Sequence, residues 1–182
     1  MAEIHNEPLN FDKVWAMFQE TDKKFQETDR KIQETNQQLG SIGIHLGEFT
    51  ESMVRPGVVN KFNSLGFNFD DMYQNRKIRD PKTGRYLAEV DIALENHDFV
   101  IVIEVKFKLR NKDIDEHIER MEVLRSIADS KNDNRKYLGA IAGSIVTDET
   151  RNYALKAGFY VLEQSDDIMK LDIPEGFLPR EW

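Results

Sequence analysis

Three side chains within residues 87–108 have the types and spacing for metal-dependent chemistry: Asp91, Glu104 and Lys106. Two carboxylates held close together raise each other's pKa unless a cation neutralises them. Mg²⁺ takes oxygen ligands of this kind, and a bound metal ion lowers the pKa of a water nucleophile and stabilises charge that grows on a phosphate. A lysine beside them could orient that water or offset the same charge. The three residues therefore predict a metal-binding site that cleaves phosphodiester bonds, or the remains of one.

The site depends on a β-hairpin around a polar break at residues 95–98. The second apolar run of this hairpin, FVIVIEV, is typical of a central strand. Side chains alternate along a strand, so Glu104 and Lys106 share a face. Because a buried carboxylate without a partner is costly, we expect this pair near the strand end or along a cleft. The same spacing also occurs in exposed ion pairs worth about 0–1 kcal/mol, and an ordinary surface pair is the alternative interpretation.

The length of the turn decides whether Asp91 joins this face. With a two-residue turn at Asn96 and His97, Asp91 lies opposite Val102, one diagonal step from Glu104, and points the same way. A three-residue turn would move Asp91 to the other face of the sheet. The functional interpretation therefore requires an even-numbered turn.

The composition limits the classes of function. A net charge of −8 argues against a protein that coats nucleic acid along its whole surface, although a local basic groove remains compatible with it. The absence of cysteine excludes disulfides, thiolate metal sites and cysteine nucleophiles, and it fits a cytoplasmic protein. We expect no transmembrane helix and no secretory signal, because the sequence has no apolar run of 18 residues and no basic-then-apolar start.

A seven-residue repeat dominates the first quarter of the chain, where FQETDKK, FQETDRK and IQETNQQ follow one another. A period of 3.5 sustained over six heptads is typical of a left-handed coiled coil. It predicts a helix from Phe11 to about Met53, on the order of 65 Å long. We expect residues 1–47 to form a coiled coil that makes a homo-oligomer, and the alternative is one long amphipathic helix folded back on its own domain. The a positions are Phe11, Phe18, Phe25, Ile32, Leu39, Leu46 and Met53, and the d positions are Val14, Thr21, Thr28, Thr35, Ile42 and Phe49.

The remaining residues, 48–182, predict an α/β domain. The patterns give a short helix at 57–65, a strand near 67–79, the two hairpin strands, a helix capped by Asp113, a strand at 136–146, a helix capped by Asp148, and a last strand at 159–164. Hairpin-linked strands followed by helical crossovers indicate a mixed sheet with helices packed on it. The tip of the first hairpin is the most basic stretch of the chain and is a candidate for binding nucleic-acid phosphates, or an ordinary solvated loop. Its basic residues are Arg76, Lys77, Arg79, Lys82 and Arg85.

The spacing D91-x12-E104-V105-K106 at the tip of a hairpin resembles the PD-(D/E)XK nuclease superfamily, which includes restriction endonucleases and Holliday-junction resolvases. The chain is similar over nearly its full length to an uncharacterised bacterial family that joins a heptad helix to such a domain. The matching stretches are LGEFTESMVRPGVVNKF, EVDIALENHDFVIVIEVK, LGAIAG and FLPREW.

This resemblance implies a restriction-endonuclease-like core and a site dependent on Mg²⁺ or Mn²⁺. Asp91 and Glu104 would be the metal ligands and Lys106 the catalytic lysine. An acidic residue from the first core helix often joins such sites, and Glu51, in preference to Glu48, could fill that place. The proline of the motif is absent, and Val90 stands before Asp91.

Two functions remain open at this point. The first is a homo-oligomeric endonuclease acting on nucleic acid, with DNA favoured. The second is a catalytically inactive protein that keeps the nuclease-like fold and binds nucleic acid or serves as a scaffold through its coiled coil. His117, on the helix after the hairpin, either faces the site or is an ordinary packing or surface residue.

Overall fold

The structure is a computed structural model that describes residues 10–80, 83–165 and 168–182, with only the backbone described at Ile168. The chain divides into two compact units, Met1–His45 and Leu46–Trp182. Helix α1 (Phe11–Val54) makes up nearly all of the described part of the first unit, and its last residues belong to the second. None of the helices in these ranges is long and apolar enough to cross a membrane.

The first unit shows the helix that the heptads predict, with its apolar residues turned outward. Four successive a residues, Phe18, Phe25, Ile32 and Leu39, are between 53% and 66% exposed. The three d threonines, Thr21, Thr28 and Thr35, donate their hydroxyls to backbone carbonyls one turn earlier, at 2.7–2.8 Å. Their polar atoms are therefore satisfied within the helix. The side of α1 that carries the a and d positions thus presents mainly rings, aliphatic groups and methyls.

The second unit is a mixed six-stranded sheet with helices on it, in the strand order β1–β2–β3–β4–β5–β6. The first three strands are antiparallel to one another, β3, β4 and β5 are parallel, and β6 is antiparallel to β5. This confirms the predicted α/β class with a long N-terminal helix and a mixed sheet flanked by helices. The elements are α2 (Val58–Asn63), β1 (Asp71–Arg79), β2 (Tyr86–Glu95), β3 (Phe99–Lys108), α3 (Asn111–Ser130), β4 (Lys136–Ile145), α4 (Asp148–Lys156), β5 (Tyr160–Ser165) and β6 (Ile168–Leu171).

Each face of the sheet buries its own apolar cluster. On one face, the end of α1 and α2 pack Val54 and Phe62 against β2, β3 and β4. On the other face, α3 packs Met121 and Leu124 against the same sheet. Burial of this extent stabilises each large apolar side chain by about 1.5–3 kcal/mol, and it fixes both faces of the central strand β3.

Three local predictions are wrong in detail. The strand predicted to be the last one is followed by β6, which is only four residues long. Helix α3 begins two residues before Asp113, which instead accepts a hydrogen bond from the Arg110 backbone N–H at 2.8 Å. Helix α4 is capped by Thr147, whose hydroxyl oxygen accepts the Thr150 N–H at 3.2 Å, and the predicted Asp148 is instead the first residue of the helix.

The central hairpin also turns one residue later than predicted. Glu95 pairs with Val100, and the turn consists of His97 and Asp98. The side chain of Asn96 holds this turn, since its Oδ1 accepts the backbone N–H groups of Asp98 and Phe99 at 2.9 and 2.7 Å. The turn still has two residues, so the faces of the two strands stay as the functional interpretation requires.

Candidate active site

Strand β2 separates from β3 at Asp91, and this fork creates the site. The two strands pair from Glu95 as far as Ile92, which lies opposite Ile103, whereas β3 continues along β4 to its end. At the preceding residue of β2, Asp91, the side-chain Oδ2 atom accepts the backbone N–H of Val105 at 2.8 Å. The carboxylate thus takes the place of a backbone partner on the exposed edge of β3.

Strand β2 also rotates at the fork. Ile92 and Leu94 pack in the cluster with Phe62, whereas Val90 and Ala88 pack in the cluster of α3. Residues two apart share a face in a regular strand, so the strand must twist between Val90 and Ile92. The outer parts of β1 and β2, residues 76–79 and 86–90, form an arm that turns toward α3, and we call them the β1–β2 arm.

Glu104 is the centre of a charged cluster on the α3 face. It is only 3% exposed, and its two carboxylate oxygens are held by different cations. Oε1 lies 2.5 Å from Lys106 Nζ, and Oε2 forms an ion pair with Arg120 of α3. The side chain of Lys106 is 37% exposed, so its ammonium group is the part of the cluster most open to an incoming ligand.

Arg120 is a member of this cluster that the sequence analysis missed, and His117 holds it in place. The Nε2 atom of His117 lies 3.2 Å from the carbonyl oxygen of Val102, which can only accept, so Nε2 carries the proton. The Nδ1 atom then accepts from Arg120 Nη1 at 3.2 Å. His117 is fully buried and its ring packs on Phe159 at 4.9 Å between centroids. The histidine is therefore a packing residue that also orients the arginine.

The buried charges shift one another's ionisation. Burial, followed by the charge of Glu104, raises the pKa of Asp91 to about 6, although the Val105 N–H and the nearby cations oppose this. Burial alone would raise the pKa of Glu104, but the charges of Arg120 and Lys106 outweigh it and lower the pKa below its ordinary value. Burial lowers the pKa of His117 to about 4, which keeps the ring neutral. At neutral pH the cluster holds two carboxylates and two cations.

The structure thus brings together Asp91, Glu104 and Lys106, the three residues on which the predicted chemistry depends. The turn is displaced by one residue, so Asp91 lies beside Glu104 and not opposite Val102 as predicted. Asp91 binds the N–H of Val105, the neighbour of Glu104, and the charge of Glu104 raises the pKa of Asp91, so the two carboxylates lie near each other.

The donor set fits a hard divalent cation in part. Mg²⁺ commonly binds one or two protein carboxylates and completes its shell with water and phosphate oxygens. Asp91 and Glu104 supply two such carboxylates, and burial together with the charge of Glu104 raises the pKa of Asp91. Within residues 10–80, 83–165 and 168–182, no group of three or more His, Cys, Asp or Glu side chains is arranged to hold a metal ion. Glu51, half-buried in α1, is therefore not gathered with these two carboxylates, and its role stays a prediction.

The predicted basic residues lie on and beside the β1–β2 arm. Arg76, Lys77 and Arg79 are exposed on β1, and Arg85 is exposed just before β2. Arg79 Nη1 donates to the carbonyl oxygen of Gly84 at 3.2 Å, and Arg76 lies over the ring of Tyr73. The remaining one, Lys82, lies outside the described residues.

Comparisons with known proteins give one structural similarity. No protein-family model and no curated protein matches the chain. Among solved structures, the small subunit of the heterodimeric restriction endonuclease R.BspD6I is similar over 66% of this chain and 70% of that chain. The identity is 16% and the TM-score is 0.32, which is below the level that establishes a shared fold.

Proposed function

We propose that the Leu46–Trp182 unit is a metal-dependent phosphodiester hydrolase that cuts nucleic acid, with DNA favoured as the substrate. The observation that carries this proposal is the fork, where Asp91 accepts the N–H of Val105 next to the buried Glu104, and the partly exposed Lys106 pairs with Glu104. Charged groups are costly to bury on an otherwise apolar strand. This set of side chains has the composition required to bind a divalent cation and to stabilise charge on a phosphate.

Each side chain has a role that follows from its surroundings. Asp91 and Glu104 would hold Mg²⁺ or Mn²⁺, which when bound supplies Lewis acidity and lowers the pKa of a water molecule. Burial alone would lower the pKa of Lys106, but the charge of Glu104 outweighs it and raises the pKa, so the ammonium group stays charged and can neutralise charge on the phosphate or orient the water. Glu51 is retained in the proposal as a further acidic residue.

Arg120 and His117 act as positioning residues. Arg120 fixes the Oε2 side of the Glu104 carboxylate, and His117 fixes Arg120 through its unprotonated Nδ1. An ionised carboxylate has about four acceptor sites, so the pairs with Arg120 and Lys106 leave capacity for a cation. The chain thus holds the glutamate in one orientation before any cation arrives.

Nuclease assays test the proposal directly. Branched, linear and single-stranded DNA would be incubated with the full chain and Mg²⁺ or Mn²⁺, and the cleavage rates compared among wild type, Asp91→Ala and Lys106→Ala. We expect each variant to lose about 100- to 1,000-fold in rate, the range for one catalytic electrostatic contact. Lys108→Ala is the matched control, since Lys108 lies two residues further along β3 and is exposed. Equal rates in wild type, Asp91→Ala and Lys106→Ala would refute catalysis at this site.

One observation favours the second candidate, a nuclease-like protein without catalysis that binds nucleic acid or serves as a scaffold. The cluster is charge-balanced by Lys106 and Arg120 without any metal ion, as a purely structural ion-pair network would be. This candidate predicts that Mg²⁺ leaves the melting temperature of the wild-type chain unchanged. A saturating metal ion that binds only the folded state would instead stabilise it by about 2.7 kcal/mol at 100 times its Kd.

We propose further that α1 assembles the chain into a homo-oligomer through its heptads. The a residues of the first unit are exposed in the single chain, although they are large and apolar. Ion pairs one turn apart, such as Glu20–Lys24 and Glu27–Lys31, lie on the same helix and support its solvated sides. Assembly would give each oligomer two or more copies of the site.

A further inference from the structure

Three neighbouring cavities follow one side of α3 where the β1–β2 arm lies against it. Their volumes are about 420, 460 and 300 Å³, within or near the range of ligand pockets. Arg79 and Lys131 line both the first and the second cavity, and Leu87 and Val123 line both the second and the third. The three therefore adjoin one another, and we call them together the α3 groove.

One end of the α3 groove is basic, in a chain whose net charge is −8. The first cavity is lined by five basic residues, Arg76, Lys77, Arg79, Lys131 and Arg135, and by two acidic ones, Glu95 and Asp133. Arg135 pairs with both acidic residues, at 2.8 and 2.6 Å. The excess positive charge of this end therefore comes from the other four basic residues, which lie on β1 and at the end of α3.

Aromatic rings lie among these charges. Tyr73 and Tyr137 line the same cavity, and both are half-buried. The guanidinium of Arg76 lies over the Tyr73 ring at 5.0 Å from its centroid. Grooves that combine cations for phosphates with rings for unpaired bases are typical of proteins that bind single strands, whereas the bases of a duplex are already stacked on each other.

The other end of the groove reaches the candidate active site. The third cavity is lined by Arg120, whose guanidinium holds Glu104, and by the acidic residues Glu89, Glu116 and Glu119. The groove thus changes from basic to acidic along its length. An acidic end repels phosphates unless a cation is present, whereas the basic end attracts them without one.

We propose that the α3 groove binds one strand of nucleic acid, with its phosphates against Arg76, Arg79 and Lys131, and leads that strand toward Glu104. This inference rests on the proposed function, because it gives the substrate of the same site as a single strand. The ring of Tyr73 is the surface on which an unpaired base stacks.

The test is a binding measurement without metal and without cleavage. The full-length Asp91→Asn chain, in EDTA, would be titrated into fluorescein-labelled single-stranded DNA, single-stranded RNA and duplex DNA, and the fluorescence anisotropy followed. We expect single strands to bind more tightly than the duplex. We expect Arg79→Ala with Lys131→Ala to weaken single-strand binding about tenfold and to reduce the slope of log K against log[salt] by about 1.4, as for two lost phosphate contacts.

Matched controls separate this groove from general charge effects. Lys156→Ala with Lys170→Ala removes the same charge from exposed positions on α4 and β6 and should leave Kd unchanged. Tyr73→Ala should weaken single-strand binding and Tyr73→Phe should restore it, because only the ring is needed for stacking. The proposal would be overturned if Arg79→Ala with Lys131→Ala and Lys156→Ala with Lys170→Ala weakened single-strand binding equally. It would also be overturned if the duplex bound more tightly than the single strands. If the wild type cleaves nucleic acid but the groove variants bind single strands as tightly as before, this inference alone is overturned. If the chain binds single strands through the groove but never cleaves them, only the proposed hydrolysis is overturned.

Discussion

The two units of this chain differ in how far they bury the same types of residue. Phe25 in the first unit is 66% exposed, whereas Phe62 in the second is completely buried between α2 and the sheet. Ion pairs in the first unit join residues one helical turn apart in solvent, whereas Glu104 is buried and pairs with residues on β3 and α3. The second unit buries most of its large apolar residues within its own fold, whereas the apolar stripe of the first is exposed in the single chain.

This difference has an energetic consequence. A pair such as Arg30–Glu34, with both side chains more than half exposed, contributes at most a few tenths of a kcal/mol. Removing one partner of a buried pair leaves an uncompensated charge and is far more costly. Substitutions in the first unit should therefore change assembly, and substitutions in the second should change folding and chemistry.

The largest expected effect is on assembly. Replacing Phe18 and Ile32, both at a positions, by Asp would place charges in the apolar seam, which is strongly unfavourable. We expect the chain to become monomeric, with at least about a 10,000-fold increase in its dissociation constant, or about 5–6 kcal/mol, as measured by multi-angle light scattering over a concentration series. Lys23→Asp with Gln37→Asp has the same spacing at f positions and should leave the assembly intact. A wild-type chain that is monomeric at all concentrations would contradict the coiled coil.

The next effect is on the folding of the second unit. Phe62→Ala would leave a cavity against Tyr160, Phe67 and Phe69 and should lower the free energy of unfolding by about 3–5 kcal/mol. Urea unfolding would be followed by fluorescence in a Trp15→Phe background, in which Trp182 is the only tryptophan. Phe25→Ala is the matched control and should leave this transition in place. If Phe62→Ala and Phe25→Ala lowered the free energy of unfolding of this transition equally, the two units would not unfold independently.

The smallest effect is a gain of stability at the site. The pKa of Asp91 rises from 3.8 to about 6 on folding, so the folded chain binds more protons between these values. Its stability therefore falls as the pH rises through this window and stays lower above it. Asp91→Asn should match the wild type near pH 4 and exceed it at pH 8 by about 1–3 kcal/mol without metal. Mg²⁺ should raise the melting temperature of the wild type and not of the variant. Equal stability at pH 8 would show that Asp91 carries no such penalty.

Local patterns predict much of this fold from the sequence. The heptads give α1 to within one residue of its end, because a period of 3.5 is visible without any tertiary contact. The functional interpretation requires an even-numbered turn, and the two-residue turn at His97 and Asp98 meets that requirement. The register of the hairpin is not predictable in this way, because Asn96 Nδ2 donates to the carbonyl oxygen of Phe67, a contact 29 residues away that fixes where the turn begins.

The part of the site that escapes prediction is also long-range. Arg120 pairs with Glu104 across 16 residues, and nothing in the helical period distinguishes it from a solvated charge. A signal did exist at His117, which falls in the buried stripe of α3 with Ile114, Met121 and Leu124. That spacing predicts a buried histidine, and a polar partner within one turn would have been expected for it.

The fork at Asp91 also bears on the solubility of this protein. Where β2 leaves, β3 would otherwise present an unpaired N–H at Val105, and open strand edges invite pairing with other chains. The Asp91 carboxylate covers that N–H and adds a charge at the edge. A substitution that removes the carboxylate entirely therefore risks aggregation as well as inactivity. Asp91→Asn retains an acceptor oxygen for the Val105 N–H, so it tests for loss of activity with less risk of aggregation.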